Sequence, residues 1–309
     1  ELVHLGGQAL DSPGLDLLGV LVGSEGTLAV VTQVTLRLVR RPEAVQTLLA
    51  AFDSTDAAGN AVSEIISAGI IPAAIEMMDR TTIRAAEAAV HPGFPDAEAV
   101  LIVELDGPQS EVAALFAQVE AVCVRNDGWG LQVARDEAQR GRIWMGRKAA
   151  FAAMGRIAPN YYVQDGVIPR SKLPEVLRRI RQLEIESGLT IGNVFHAGDG
   201  NLHPLVCYDD AVDGQADLAE QVATQILTYC LDVGGSLTGE HGIGADKACH
   251  MPKMFTAEDL ETMQLVRAAF DPDRLCNPDK LFPTPRLCGE VPGPYRAHPT
   301  EIAGLADRV

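Results

Sequence analysis

The stretch Asn193-Val194-Phe195-His196-Ala197-Gly198-Asp199-Gly200-Asn201-Leu202-His203-Pro204 constrains this chain more than any other. Asp199-Gly200 separates two strand-like runs, Thr190–His196 and His203–Cys207. A type I′ hairpin turn favours Asp-Gly, because both central residues need positive φ. A turn at that dipeptide predicts Gly198 opposite Asn201, Ala197 opposite Leu202 and His196 opposite His203. Directly opposed residues share a face of the sheet, with Cβ atoms roughly 5 Å apart. The spacing therefore predicts two imidazoles that point the same way and can chelate one divalent metal. The alternative is two turn histidines that hydrogen-bond the backbone.

A second loop complements the hairpin. Gly234-Gly235-Ser236-Leu237-Thr238-Gly239-Glu240-His241-Gly242-Ile243-Gly244 holds five glycines in eleven residues, which permits tight turns and close approach of backbone to a ligand. Glu240 and His241 are its only ionisable side chains. A carboxylate is a natural third ligand beside two histidines, with positions left open for substrate, and His241 is then free to act as a base. The same residues would also suit a solvated loop.

Elsewhere, strand-like runs alternate with amphipathic helices. Strands are expected at Val34–Leu38, Leu48–Phe52, Val100–Leu105 and Leu131–Ala134, with an extended segment at Tyr161–Ile168. The Val34–Leu38 run alternates like a half-buried strand and ends at Arg40-Arg41-Pro42. A helix capped by Ser54, Thr55 or Asp56 carries Val62, Ile65 and Ile66 and closes at Gly69. Further helices are expected at Ser110–Val124, Asp136–Ala153, Leu173–Ser187 with its C-cap at Gly188, Ala216–Val233 and Ala257–Phe270. Cys288–Val309 reads as an irregular tail. No tandem repeat of fixed period is visible. The fold class is α+β, a mixed or antiparallel sheet backed by helices.

Composition removes some classes of function. With 25 Lys and Arg against 42 Asp and Glu, a formal net charge of −17, the chain lacks the basic footprint of a nucleic-acid binder. An anionic substrate would need positive charge concentrated locally. Cys123, Cys207, Cys230, Cys249, Cys276 and Cys288 show no CxxC spacing, which argues against an iron–sulfur cluster or a zinc knuckle. Scattered cysteines suggest reduced thiols and a cytoplasmic setting. No apolar run of about 18 residues and no signal peptide is found. The chain starts at Glu1 inside a strand-and-turn pattern, which reads as a fragment that lacks its natural N-terminus.

Four segments taken together resemble a known family. They are Gly23-Ser24-Glu25-Gly26-Thr27-Leu28, the His196–His203 hairpin, Gly239-Glu240-His241-Gly242-Ile243-Gly244, and Phe270-Asp271-Pro272 through Asn277-Pro278-Asp279-Lys280. In order and spacing they resemble the FAD-linked oxidases of the vanillyl-alcohol-oxidase type. The match is to the group of glycolate oxidase D-subunits, D-lactate dehydrogenases and D-2-hydroxyglutarate dehydrogenases. The resemblance implies the end of a PCMH-type FAD-binding domain (1–42), then a ferredoxin-like substrate domain with helices on one side of its sheet (43–285), then a tail (286–309).

The resemblance also implies roles. Gly23, Ser24, Glu25, Gly26 and Thr27, with Val30 and Val31 beyond, would line an FAD cleft; composition alone reads this segment as strand–turn–strand. Asn277 would touch the cofactor, although an Asn-Pro turn explains it equally well. The chain lacks the earlier Gly-rich loop that holds the pyrophosphate in the family, so by itself it is expected to bind FAD weakly or not at all. His196, His203 and Glu240 look like metal ligands (Zn, Mn or Fe) and His241 like the base.

Arg147, in Ile143-Trp144-Met145-Gly146-Arg147-Lys148, would hold the substrate carboxylate, since a planar fork suits bidentate pairing. Otherwise Arg147 and Lys148 are solvated helix charges. Val163 stands where the dicarboxylate-specific enzymes carry a Lys, which points to a small acid of the glycolate or D-lactate type. The implied reaction is FAD-dependent oxidation of a 2-hydroxy acid to the 2-oxo acid. Electrons would pass to companion subunits, one bearing iron–sulfur clusters, or to a quinone, at a site peripheral to the inner membrane through those partners. Two rival readings are a metal-dependent hydrolase, which has no use for the flavin segment, and a non-catalytic subunit, which would not need four intact site residues.

Overall fold

The computed structural model describes residues 2–7 and 14–283; the tail expected at 286–309, Cys288 included, lies outside them. The described residues divide into two compact units. Those up to Val31 and those from Ile243 onward form one, and Thr32–Gly242 forms the other.

The larger unit is built on a seven-stranded antiparallel sheet. Its strands are β1 (Ala44–Phe52), β2 (Ala74–Asp79), β3 (Ala99–Gly107), β4 (Trp129–Val133), β5 (Asn160–Val163), β6 (Ile191–His196) and β7 (Pro204–Tyr208). Their spatial order is β4-β1-β3-β2-β6-β7-β5. The central strands are buried on both faces, so they read as continuous apolar runs such as Leu48–Phe52.

One face packs Leu48, Phe52, Met77, Leu101, Phe195 and Val206 against four helices. Helix α1 (Leu17–Leu21) belongs to the other unit; these four are α2 (Thr55–Ser67), α4 (Gln109–Arg125), α6 (Leu173–Ser187) and α7 (Gln215–Asp232). The opposite face packs Leu49, Met78, Val100, Ile102, Val194 and Leu205 under α3 (Arg80–Val90) and α5 (Glu137–Ala153). Helices thus cover both faces, which corrects the one-sided expectation.

The sheet consists of two halves of similar topology. β1-α2-β2-β3-α4-β4 follows a ferredoxin-like plan, with strand order 4-1-3-2 in its own count. β5-α6-β6-β7-α7 repeats it, and the fourth strand shrinks to one bridge between Ser236 and Val167. The halves join where β2 pairs β6, Glu76 opposite His196. Helices α3 and α5 are additions to this plan, and they occupy the face that the ferredoxin-like helices leave bare.

Local signals account for most boundaries. Ser54 caps α2, Asp136 caps α5, and Gly188 ends α6 in the left-handed region at φ 72. Helix α9 (Ala257–Phe270), which follows the single turn α8 (Met251–Met254), opens with a capping box at Thr256 and Asp259.

Two expectations are corrected. Val34–Leu38 forms no strand: Val34, Leu36 and Leu38 are exposed, and no strand among the described residues pairs with them. Alternation makes a strand only where a neighbour takes up its backbone hydrogen bonds. The hairpin register also differs. Asn193 faces Pro204 and His196 faces Asn201, across a loop from Ala197 to Gly200 in which Gly200, at φ 73, is the one left-handed residue. Gly198 N–H donates to the Ile75 carbonyl, so the loop docks on the first residues of β2 rather than closing as a two-residue turn. The slip is two residues, and an even slip keeps every side chain on its face. His196 and His203 therefore still share one, diagonally.

Candidate active site

The α3/α5 face of the larger unit carries the candidate site at the hairpin end of the sheet. Glu76, on an interior strand, is buried and accepts from two partners: His196 Nδ1 on Oε1 at 2.8 Å and Arg147 Nε on Oε2 at 2.9 Å. Arg147 reaches down from α5 and is itself buried, its guanidinium 5.9 Å from the Phe151 ring one turn on. It is thus no solvated helix charge, whereas Lys148 is exposed.

His203 is buried, its Nδ1 directed at the Gln164 carbonyl 3.3 Å away and its ring edge-on to Phe151. The second nitrogens of the two histidines converge on one oxygen. Glu240 Oε1 lies 3.3 Å from His196 Nε2 and 3.0 Å from His203 Nε2. His241 stacks on His203 with ring centroids 4.8 Å apart, and its Nε2 is 3.9 Å from the same oxygen.

The loop that delivers Glu240 and His241 is anchored by a residue that the sequence did not single out. Asp165 is completely buried. It accepts from the Thr238 hydroxyl and from the N–H groups of Gly239 at 3.1 Å, Glu240 at 3.3 Å and His241 at 2.9 Å. Thr238 Oγ1 in turn accepts from Gly242 N–H at 2.8 Å. The vestigial fourth strand thereby becomes a pinned loop. Gly239 is required because an added Cβ would stand 2.5 Å from the Asn201 amide carbon.

The two histidines are tuned in opposite directions. The Glu76 hydrogen bond raises the His196 pKa, against an opposing effect of burial. Burial lowers that of His203, which favours the neutral ring a metal requires. A cleft of about 460 Å³ opens here, lined by Val167, His196, Asp199, Asn201, Gly239 and Glu240. The amide oxygen of Asn201, buried in its wall, has no protein partner among the described residues.

Asp165, His203, Glu240 and His241 also offer ligand atoms within 4.8 Å of one another. The Asp165 oxygens, however, are already engaged by four donors of the loop, so His196 is the better third ligand. The buried thiols are no competitors: burial pushes Cys207 up to about 11 and Cys123 and Cys230 up to about 12.

The Gly23–Thr27 segment lies in the other unit. Gly23, Glu25 and Gly26 all take positive φ, and Thr27 is buried with its hydroxyl donating to the Ser24 carbonyl at 2.7 Å. The Glu25 carboxylate accepts from Ile243 N–H at 2.7 Å and Gly244 N–H at 2.8 Å, while Asn277 Nδ2 donates to its carbonyl at 2.6 Å. Within this unit Glu25 therefore joins the Gly23–Thr27 segment to Ile243-Gly244 and to Asn277. Val30 and Val31 are exposed.

The fold is thus an antiparallel α/β unit of two similar halves, in which two histidines and a carboxylate converge beside a third histidine. The chain belongs to the family of FAD linked oxidases, C-terminal domain, whose model matches residues 41–281. Among curated proteins it is 49% identical to the glycolate oxidase subunit GlcD of Escherichia coli K12, over 94% of this chain and 58% of that protein. It is 36% identical to the GlcD subunit of Bacillus subtilis, over 91% of this chain and 60% of that protein. With the mitochondrial cytochrome-type D-lactate dehydrogenase of Arabidopsis thaliana it shares 31% identity, over 89% of this chain and 48% of that protein. The chain thus spans about half to three fifths of the length of these relatives.

Two solved structures share the fold. An alkyldihydroxyacetonephosphate synthase superposes with a TM-score of 0.59 at 17% identity, covering 89% of this chain and 50% of that one. The 4-ethylphenol oxidase of Gulosibacter chungangensis gives 0.60 at 15% identity, covering 80% and 55%. No helix among the described residues is long and apolar enough to cross a membrane.

Proposed function

We propose that this chain carries the substrate half of an FAD-dependent oxidation of a small 2-hydroxy acid, of the glycolate or D-lactate type, to the 2-oxo acid. The observation that carries the reading is the convergence of His196 Nε2 and His203 Nε2 on Glu240 Oε1, with both Nδ1 atoms held from behind. Held Nδ1 atoms leave both Nε2 lone pairs facing the centre, which is how metal-ligating histidines are oriented. The donor set fits Zn, Mn or Fe.

A divalent metal held by His196, His203 and Glu240 would supply Lewis-acid polarisation of the substrate hydroxyl, and FAD a hydride acceptor. The chain's own residues do the rest. His241, exposed at the mouth of the site and stacked on His203, takes the hydroxyl proton on a ring nitrogen, while His203 would be one of the residues holding the metal. Arg147, with Nε fixed by Glu76, is the cation available to orient the substrate carboxylate. Asn201 offers its amide oxygen, which has no partner among the described residues, to the substrate or to water in the cleft.

FAD contact falls to Gly23, Ser24, Glu25, Gly26 and Thr27, with Val30, Val31 and Asn277; an added Cβ at Gly23 would meet nothing within 4 Å, which leaves room for close approach. Two relatives are named as subunits, which supports a companion protein that accepts the electrons.

The test is dye reduction with glycolate, D-lactate, L-lactate and D-2-hydroxyglutarate, in a protein extended N-terminally to the length of the relatives. Glycolate or D-lactate is expected to be oxidised. His241→Ala is expected to slow turnover by about 10²–10⁴-fold, with Zn²⁺ affinity unchanged. A flavoprotein indifferent to removal of its metal would overturn the metal roles of His196, His203 and Glu240.

A further inference from the structure

The geometry points to Glu76 as the residue that sets the tautomer of His196 and thereby makes it a metal ligand. This rests on the metal reading of the same site. Glu76 sits in the middle of β2, directly opposite His196 in the β2–β6 register, so the backbone fixes the pair before any ligand arrives. Its carboxylate is almost fully buried and holds His196 Nδ1 at 2.8 Å and Arg147 Nε at 2.9 Å, one on each oxygen.

Arginine Nε can only donate, and an ionised carboxylate can only accept. With Arg147 on Oε2, the other oxygen must receive a proton from His196, so Nδ1 of the neutral ring is the N–H. Nε2 is left as the lone pair, and it faces Glu240 Oε1 at 3.3 Å. Arg147 completes the device: it balances the buried negative charge and stops Glu76 from turning away.

Glu76→Gln separates this role from mere packing. Glutamine has the same shape but one acceptor oxygen and one donor nitrogen. Because Arg147 can take only the oxygen, the amide nitrogen is forced onto His196 Nδ1. The ring must then carry its proton on Nε2, where the metal would bind. Loss of such a supporting partner typically costs a metal site roughly 10–100-fold in affinity. Glu104→Gln is the control: it too is a buried strand carboxylate held by an arginine, Arg140, with Thr47 and Trp144 as further partners, but it touches no site residue.

The experiment has two readouts on the chain as it stands. Zn²⁺ affinity is measured by competition with a chelating dye, and the histidine ¹⁵N shifts are measured metal-free above the ring's titration, with His196 assigned from its loss in His196→Gln. The expected result is an Nδ1–H tautomer for His196 in the wild type, an Nε2–H tautomer in Glu76→Gln with Zn²⁺ bound about 10–100-fold more weakly, and unchanged values in Glu104→Gln. An Nε2–H tautomer in the wild type, which needs no variant to fold, overturns the proposal. So does an unchanged tautomer and Zn²⁺ affinity in Glu76→Gln. A wild type that takes up no Zn²⁺ but shows the tautomer switch would sink the metal reading and leave the positioning role of Glu76 standing.

Discussion

At the residue scale the site depends on groups that hold other groups. Asp165 is the clearest case, since one buried carboxylate collects a hydroxyl and three backbone N–H groups from the loop carrying Glu240 and His241. Asp165→Ala would leave those donors without their acceptor at a position that is itself completely buried. A single unsatisfied buried group costs about 1–3 kcal/mol, so a loss on the order of 3 kcal/mol or more is expected, read as a lower urea midpoint. Zn²⁺ affinity should fall with it, because Glu240 loses its placement. A variant as stable as the wild type would show that the loop is held by other contacts. The sequence singled out the four side chains that the structure brings together, because His196, His203, Glu240 and His241 stand in or beside glycine-rich segments. It did not reveal their supports. Glu76 and Asp165 are single acids in strand-like runs, a pattern shared with solvent-facing strand residues, and only the fold shows that both are buried.

At the element scale, the hairpin and the start of α3 give two separate tests. Gly200 takes φ 73, and an added Cβ would lie 2.2 Å from the Ile168 carbonyl oxygen. Gly200→Ala therefore meets both a conformational penalty of about 1 kcal/mol or more and a backbone collision, and should unfold at clearly lower denaturant. Gly141→Ala, on an exposed turn of α5 with nothing within 4 Å, should instead gain roughly 0.5–1 kcal/mol. Equal effects would mean that the loop can move away from Ile168.

The second test concerns Asp79, which caps α3 through Thr82 N–H and also accepts from the Asn193 backbone and side chain. Burial pushes its pKa up to about 6 from 3.8. The folded chain then holds that proton more tightly than the unfolded one. The resulting stabilisation is complete below about pH 4 and is lost as pH rises through about 6. At about 1.36 kcal/mol per pH unit this amounts to roughly 3 kcal/mol. The stability difference between the wild type and Asp79→Asn should therefore shift towards the wild type by up to about that much on going from neutral pH to pH 4. A gap that does not change with pH would show that hydrogen bonds from Thr82 and Asn193 offset the burial completely.

At the scale of the whole molecule, the sequence conveyed the α+β class, but the plan of the sheet stayed hidden for physical reasons. The two ferredoxin-like halves share no sequence period, since α3 interrupts the first and the fourth strand of the second is reduced to Ser236. The elements β2 and α3 escaped notice because Glu76 breaks the apolar run of the strand and the helix face is mostly alanine. The proposed ligands all fall between Thr32 and Gly242, in the unit that contains the whole sheet. Metal binding should therefore stabilise that unit as a body. At a free Zn²⁺ concentration of 100 times Kd the gain is about 2.7 kcal/mol, which for a unit of this size raises Tm by roughly 5–10 °C. Calorimetry with Zn²⁺ and with excess chelator should show that shift in the transition that melts the sheet, and His203→Ala should abolish it. A Tm indifferent to both would mean that the convergence of His196, His203 and Glu240 serves hydrogen bonding alone, and the oxidation would then have to proceed on Arg147 and His241 without Lewis-acid help.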